Sequence, residues 1–185
     1  MTSTNTMMTA ITDQKLISRA KAIKLLLLDV DGVLTDGRLY YGNNGEELKA
    51  FNIQDGLGIK LLQRNGIKVG IITGRSSKLL ARRAKELGID LVVQGREDKL
   101  VALKEVLETH DYKMEEIAFL GDDLPDVAVI RRVGMGVAVA NARHFVVENA
   151  AWQTKASGGH GAVRELVEMI LQAQDKLNST HADYL

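Results

Sequence analysis

Lys24-Leu25-Leu26-Leu27-Leu28-Asp29-Val30-Asp31-Gly32-Val33-Leu34-Thr35-Asp36-Gly37 begins as an unbroken apolar run and ends among aspartates and glycines. Four leucines without polar alternation describe a strand covered on both faces, as at the centre of a parallel sheet. Asp29 and Asp31 follow where such a strand opens toward solvent. Ionised carboxylates there are costly unless a cation or hydrogen-bond donors compensate. Aspartate and glycine are also common turn residues, so Asp-Val-Asp-Gly alone is compatible with a simple turn.

Outward from this stretch, whose strand is read as Ile23 to Leu28, short branched runs recur at Val69 to Ile72, Leu91 to Val93, Ile117 to Leu120 and Val137 to Val139. Apolar residues at helical spacing lie between them at Leu57 to Arg64, Ser77 to Leu87, Lys99 to His110 and Leu124 to Arg132, several closing near Gly66, Gly88 or Gly134. This alternation predicts an α/β fold, a doubly wound parallel sheet of Rossmann type that binds ligands beyond the carboxyl ends of its strands. Arg38 to Tyr41 and Glu47 to Phe51 flank Gly42-Asn43-Asn44-Gly45, which predicts a small β-hairpin flap over 38–51. Residues 1–22 read as a tail and lead-in helix, 158–185 as a second tail with a helix from Ala162 to Lys176. With 185 residues, 45% of them hydrophobic, the expectation is one domain over 1–185.

Composition narrows the function. Acidic and basic residues balance at 24 each, leaving no long-range field to gather nucleic acid or an anionic membrane. The absence of cysteine removes thiolate metal sites, disulfides and a cysteine nucleophile. No apolar run approaches the ~20 residues that span a bilayer, and the polar, threonine-rich start lacks the pattern of a signal peptide. A cytoplasmic location is expected.

Three further polar sites follow strands or open helices. Thr73-Gly74-Arg75 follows the second strand, where a hydroxyl, helix-start amides and a guanidinium can hold phosphate oxygens; threonine is equally an ordinary helix cap. Lys99 opens a helix and is suited to neutralising a phosphate and a carboxylate, although alone it reads as a solvated lysine. Gly121-Asp122-Asp123-Leu124-Pro125-Asp126 places a second acidic cluster at a strand end. Two such clusters at neighbouring strand ends suit Mg²⁺, which prefers oxygen ligands. Together the four sites predict phosphoryl transfer: Asp29 attacks phosphorus, and Asp31 protonates the leaving alcohol and then activates water.

In order and spacing, Asp29-Val30-Asp31-Gly32-Val33-Leu34-Thr35, Thr73, Lys99 and Gly121-Asp122-Asp123 resemble the four motifs of the haloacid dehalogenase superfamily. The resemblance implies Asp29 as nucleophile and Asp31 as acid/base, with Thr73 and Lys99 in the catalytic set. It implies Mg²⁺ held by Asp29, the backbone carbonyl of Asp31 and Asp122, with Asp123 and Asp126 in support. Tyr41 to Asn52, Asp55-Gly56-Leu57-Gly58-Ile59 and Gly158 to Glu165 are similar to a capless branch acting on a keto-sugar acid phosphate. That similarity implies substrate contacts at Asp31, Asn52, Ile53, Gln54, Asp55, Gly56, Lys60, Arg75, Arg83 and Lys99. Lys60 departs from an expected arginine and loses its bidentate fork, and Pro125 stands where a polar residue can occur.

The intervals from Asp29 to Thr73 and from Thr73 to Lys99 are filled by flap, helices and a strand, leaving no room for a cap domain. The resemblance therefore implies a homotetramer in which neighbouring chains close each site. The run Gly158-Gly159-His160-Gly161 is either an ordinary loop or, as the resemblance implies, a tail that reaches a neighbour's site. Trp152 and the methionines read as core or interface. A phosphoacceptor receiver domain is the rival from another class, but Gln94-Gly95 follows Leu91 to Val93 where it would need its aspartate. A related keto-sugar acid phosphate, of the sialic acid 9-phosphate type, is the nearer alternative substrate.

Overall fold

The structure is a computed structural model and describes residues 13–43 and 47–185; the first twelve residues of the expected tail and lead-in helix over 1–22, and Asn44-Gly45 of the expected turn, lie outside them. In chain order the elements are α1 (Gln14–Lys21), β1 (Leu25–Leu28), β2 (Tyr40–Tyr41), β3 (Glu47–Leu48), α2 (Ile53–Arg64), β4 (Lys68–Ile72), α3 (Lys78–Leu87), β5 (Leu91–Val93), α4 (Lys99–Thr109), β6 (Ile117–Gly121), α5 (Leu124–Ile130), β7 (Met135–Ala138), α6 (His144–Asn149), β8 (Trp152–Gln153), α7 (Ala162–Ala173) and α8 (Leu177–Ala182).

Six strands form one sheet in the order β5-β4-β1-β6-β7-β8. Every pairing in it is parallel. The order reverses at β1, because β4 and β5 extend one side and β6, β7 and β8 the other; the crevice beyond β1 is therefore the topological switch point.

Leu25 and Leu27 point to one face of the sheet, Leu26 and Leu28 to the other. All four are fully buried. Leu26 and Leu28 pack with residues of α1, α2, α3 and α7. Leu25 and Leu27 pack with α4, α5 and α6. Helices on both faces explain why the strand sequence lacks polar alternation.

Among the described residues of the expected flap, β2 and β3 pair antiparallel through Tyr40↔Leu48 and Tyr41↔Glu47. Helix α2 starts four residues before the expected Leu57 because the Asn52 side chain caps it, accepting from the amides of Gln54 at 2.7 Å and Asp55 at 3.3 Å. The terminal helix stops at Ala173, and the Gln174 side chain ties its end to the carbonyls of Ala20 and Ile23, at 3.3 and 2.9 Å. β8, α6 and α8 have no counterpart among the sequence expectations.

Candidate active site

The Asp29 amide donates to the Leu120 carbonyl at 3.1 Å, continuing the β1–β6 pairing and fixing the Asp29 backbone at the carboxyl end of β1. Its carboxylate is buried and accepts from Lys99, the first residue of α4, whose Nζ lies 2.6 Å from Asp29 Oδ1 and 2.6 Å from Asp126 Oδ1. Asp126, in the first turn of α5, is buried too. Its Oδ2 accepts from the amides of Asp122 at 2.9 Å and Asp123 at 3.2 Å, so it carries the turn after β6 as well as the lysine.

Burial, reinforced by the charge of Asp126, pushes Asp29 up to about 6 despite Lys99. Burial followed by the charges of Asp29 and Asp126 pushes Asp122 up to about 8. Burial works against the charge on Lys99, but Asp29 and Asp126 outweigh it and raise its pKa. One lysine thus faces three carboxylates.

Carboxylate oxygens of Asp29, Asp122 and Asp126 lie within 4.8 Å of one another. All-oxygen donors with excess negative charge fit a hard divalent cation. Both Asp126 oxygens are already engaged, which leaves Asp29 and Asp122 as the carboxylates free to ligate. Gly32, at φ 98°, permits the approach of the two clusters: a Cβ there would collide with the Asp122 carboxylate.

Thr73 is buried at the end of β4, its amide bonded to the Val93 carbonyl at 2.9 Å. Arg75 is largely exposed, with Nε 3.7 Å from Asp31 Oδ2. The other Asp31 oxygen accepts from Lys49 of the flap, a site residue that the sequence reading did not single out.

The glycine-rich run lies on its own chain's site loop. The Gly158 amide donates to Asn141 Oδ1 at 2.9 Å, and the Gly159 amide to the Val33 carbonyl at 2.8 Å. Asn52 Nδ2 donates to the Gly159 carbonyl at 3.3 Å, joining this run to the start of α2. α8 lies at the far end of α2, where Asn65 donates to Thr180 Oγ1 at 3.0 Å and Arg64 to the Tyr184 hydroxyl at 3.2 Å.

Among the expected substrate contacts, the Asp55 carboxylate is engaged within the chain. The residue is 1% exposed and accepts from the amides of Gly161 at 3.3 Å and Arg164 at 2.8 Å, so its carboxylate caps the start of α7. Gly56 is buried against the Arg83 guanidinium. Arg83 lies 6.0 Å above the Phe51 ring and 3.5 Å from the Asn52 carbonyl, which places it by the flap and the start of α2. Ile53 and Gln54 are exposed in the first turn of α2, whereas Lys60 is exposed about two turns beyond its start.

The profile of the haloacid dehalogenase-like hydrolases matches residues 92–166. The 3-deoxy-D-manno-octulosonate 8-phosphate phosphatase of Yersinia pestis is 53% identical over 161 residues, covering 87% of this chain and 86% of that protein. The chain belongs to the haloacid dehalogenase-like hydrolases. The phosphatase of the same name from Escherichia coli strain K12 is 49% identical over 162 residues, 88% of this chain and 86% of that one. Among solved structures, the 3-deoxy-D-manno-octulosonate 8-phosphate phosphatase of Moraxella catarrhalis, in complex with magnesium ion, phosphate ion and a KDO molecule, is similar with a TM-score of 0.91. Its sequence is 43% identical, and the match covers 92% of this chain and 98% of that one. The structure brings Asp29, Lys99, Asp122 and Asp126 together from separate strand ends and helix starts, with Thr73 buried just after β4.

Proposed function

We infer that the chain is a Mg²⁺-dependent phosphomonoesterase that hydrolyses 3-deoxy-D-manno-octulosonate 8-phosphate to 3-deoxy-D-manno-octulosonate and phosphate, within lipopolysaccharide biosynthesis. The observation that carries this reading is Asp29: a buried carboxylate held at 2.6 Å by a buried lysine, in a chain about half identical to phosphatases of that name over most of its length. Asp29 and Asp122, with the Asp31 carbonyl, would hold Mg²⁺, which supplies charge that screens an anionic nucleophile from an anionic phosphate.

The chain's own groups do the rest. Asp29 attacks phosphorus in line and becomes an aspartyl-phosphate, which divides one difficult displacement into two easier ones. As the bond to the alkyl oxygen breaks, Asp31 gives that oxygen its proton; the resulting carboxylate then takes a proton from the water that attacks the aspartyl-phosphate. Lys99 keeps Asp29 oriented and offsets transition-state charge, while Thr73 and Arg75 hold phosphate oxygens. Asn52, Arg83 and the exposed first turn of α2 face the sugar.

The enzyme works as a cytoplasmic homotetramer of single-domain chains, each site closed by neighbours. Leu39, Tyr40, Tyr41 and Leu48 of the flap and Ile53 of α2 support this, because each is an exposed large apolar or aromatic side chain that a second copy would cover. Among the described residues, no helix is long and apolar enough to cross a membrane.

Phosphate release from a panel of sugar phosphates, with and without Mg²⁺, tests the reading in the wild type and in Asp29→Asn. The expected result is strong preference for 3-deoxy-D-manno-octulosonate 8-phosphate, dependence on Mg²⁺, and near-total loss in the variant. Equal rates on unrelated phosphomonoesters would sink the substrate, and full activity of Asp29→Asn would sink the nucleophile.

A further inference from the structure

Lys49 follows β3 in the flap, between Leu48 and Ala50, both exposed. Its own side chain is only 1% exposed. An ammonium group so deeply covered is unfavourable unless it meets an anion. Asp31 is such an anion, and its Oδ1 accepts from Lys49 Nζ. The remaining oxygen, Oδ2, has Arg75 Nε at 3.7 Å, from the loop after β4. The carboxylate is therefore held from two separate elements, with Lys49 making the close and buried contact and Arg75 the longer and more exposed one.

We propose that Lys49 is a positioning residue for Asp31, which fixes the acid/base carboxyl against the leaving oxygen and makes its correct placement depend on a seated flap. This rests on the assignment of Asp31 as acid/base made above. A ribbon as short as β2 and β3 is not stable by itself in water, so the flap needs an anchor on the sheet. The Lys49–Asp31 pair is such an anchor, and it ends on the carboxyl that must act.

Oδ1 can accept from Lys49 whether Asp31 is a carboxylate or a carboxylic acid, so Oδ2, with Arg75 Nε at 3.7 Å, is the oxygen that carries the proton when Asp31 acts as the acid. When the bond from phosphorus to the alkyl oxygen breaks, that oxygen takes the proton from Oδ2 and departs as the alcohol, and Asp31 is left as a carboxylate. Lys49 exchanges no proton in this step. It removes a rotational freedom that Asp31, in the open loop after β1, would otherwise keep.

Proton delivery matters for an alkyl leaving group and little for p-nitrophenolate, which departs without a proton. The test compares kcat/KM, which reports the steps through loss of the leaving group, for 3-deoxy-D-manno-octulosonate 8-phosphate and p-nitrophenyl phosphate in wild type, Lys49→Met and Lys49→Arg. Lys49→Met should lower the sugar-phosphate value about tenfold or more, chiefly through kcat, and the aryl-phosphate value by about threefold or less. Lys49→Arg should recover most of the difference, and in an Asp31→Asn background Lys49→Met should cause little further loss with the sugar phosphate.

Equal proportional losses on the two substrates, a loss confined to KM, or additive losses in the Asp31→Asn background would overturn the proposal. Thermal melts identify a variant that has lost its fold, in which case Lys49→Gln carries the same comparison. A wild type inactive on the sugar phosphate refutes the substrate assignment instead, so the two failures are distinguishable.

Discussion

Asp126→Asn keeps the size and shape of a side chain that is 1% exposed, yet it should be among the most damaging conservative substitutions in the molecule. Asp126 accepts three hydrogen bonds and donates none: Oδ1 from Lys99 at 2.6 Å, Oδ2 from the amides of Asp122 at 2.9 Å and Asp123 at 3.2 Å. An amide has one oxygen. If its NH₂ replaces Oδ2, a donor faces two backbone donors; if it replaces Oδ1, a donor faces an ammonium group. Removing one partner of a buried ion pair costs about 3–5 kcal/mol, and each orphaned buried amide adds about 1–3 kcal/mol. Two effects return part of this. Lys99 keeps Asp29, and loss of the Asp126 charge relieves repulsion that raises the pKa of Asp29 and Asp122. The net loss should be on the order of 2–4 kcal/mol, which for a chain of this size lowers Tm by about 5–15 °C. Calorimetry with parallel turnover measurements checks it, and kcat should fall as well because the turn that carries Asp122 loses its anchor. An Asn variant that melts within about 1 kcal/mol of wild type, with kcat preserved, would refute the claim that this carboxylate organises the site.

Metal-free protein should lose stability as pH rises. The folded chain keeps protons on Asp29 and Asp122 up to about 6 and about 8, whereas both ionise near 4 when unfolded, so the folded state binds more protons across that interval. Melting curves in chelator should therefore shift down between pH 5 and 8, and Mg²⁺ should stabilise increasingly over the same range; a Mg²⁺ effect independent of pH contradicts this. Gly158→Ala would drive a Cβ into the Gly32 carbonyl, with the Val33 amide nitrogen only 3.0 Å away. The strain should cost about 1–3 kcal/mol in thermal melts and reduce turnover through the Asp31–Gly32 loop; unchanged kcat would show that the loop tolerates the shift.

The sheet was legible because strands buried on both faces must be apolar throughout, and Leu25 to Leu28 and Ile117 to Leu120 show this without help from their neighbours. Asp29, Lys99 and Asp122 were legible for a related reason, since each follows directly on such a run or opens the helix after it. The start of α2 was obscured by Gly56 and Gly58, poor helix formers whose presence reflects packing: a Cβ at Gly58 would stand 2.9 Å from Arg164 Cδ of α7. The paired residues β8 and the six-residue α6 and α8 are too short for periodicity to register.

Lys49 was concealed by an inversion. In Glu47-Leu48-Lys49, alternation puts Leu48 and Lys49 on opposite faces, and hydrophobicity argues for leucine inward and lysine outward. The structure has the reverse, with Leu48 66% exposed and the Lys49 side chain covered. That choice is unfavourable for an isolated chain. It becomes favourable if Asp31 supplies the counter-charge on one side of the flap and an apolar surface of a second copy covers Leu48 and its cross-strand partner Tyr40 on the other. Under the proposed tetramer the same inversion links Asp31 to the neighbouring chain: a copy that seats the flap from outside would also hold Lys49 against Asp31 from within. A capless hydrolase built this way would confine efficient proton delivery to sites already closed to water.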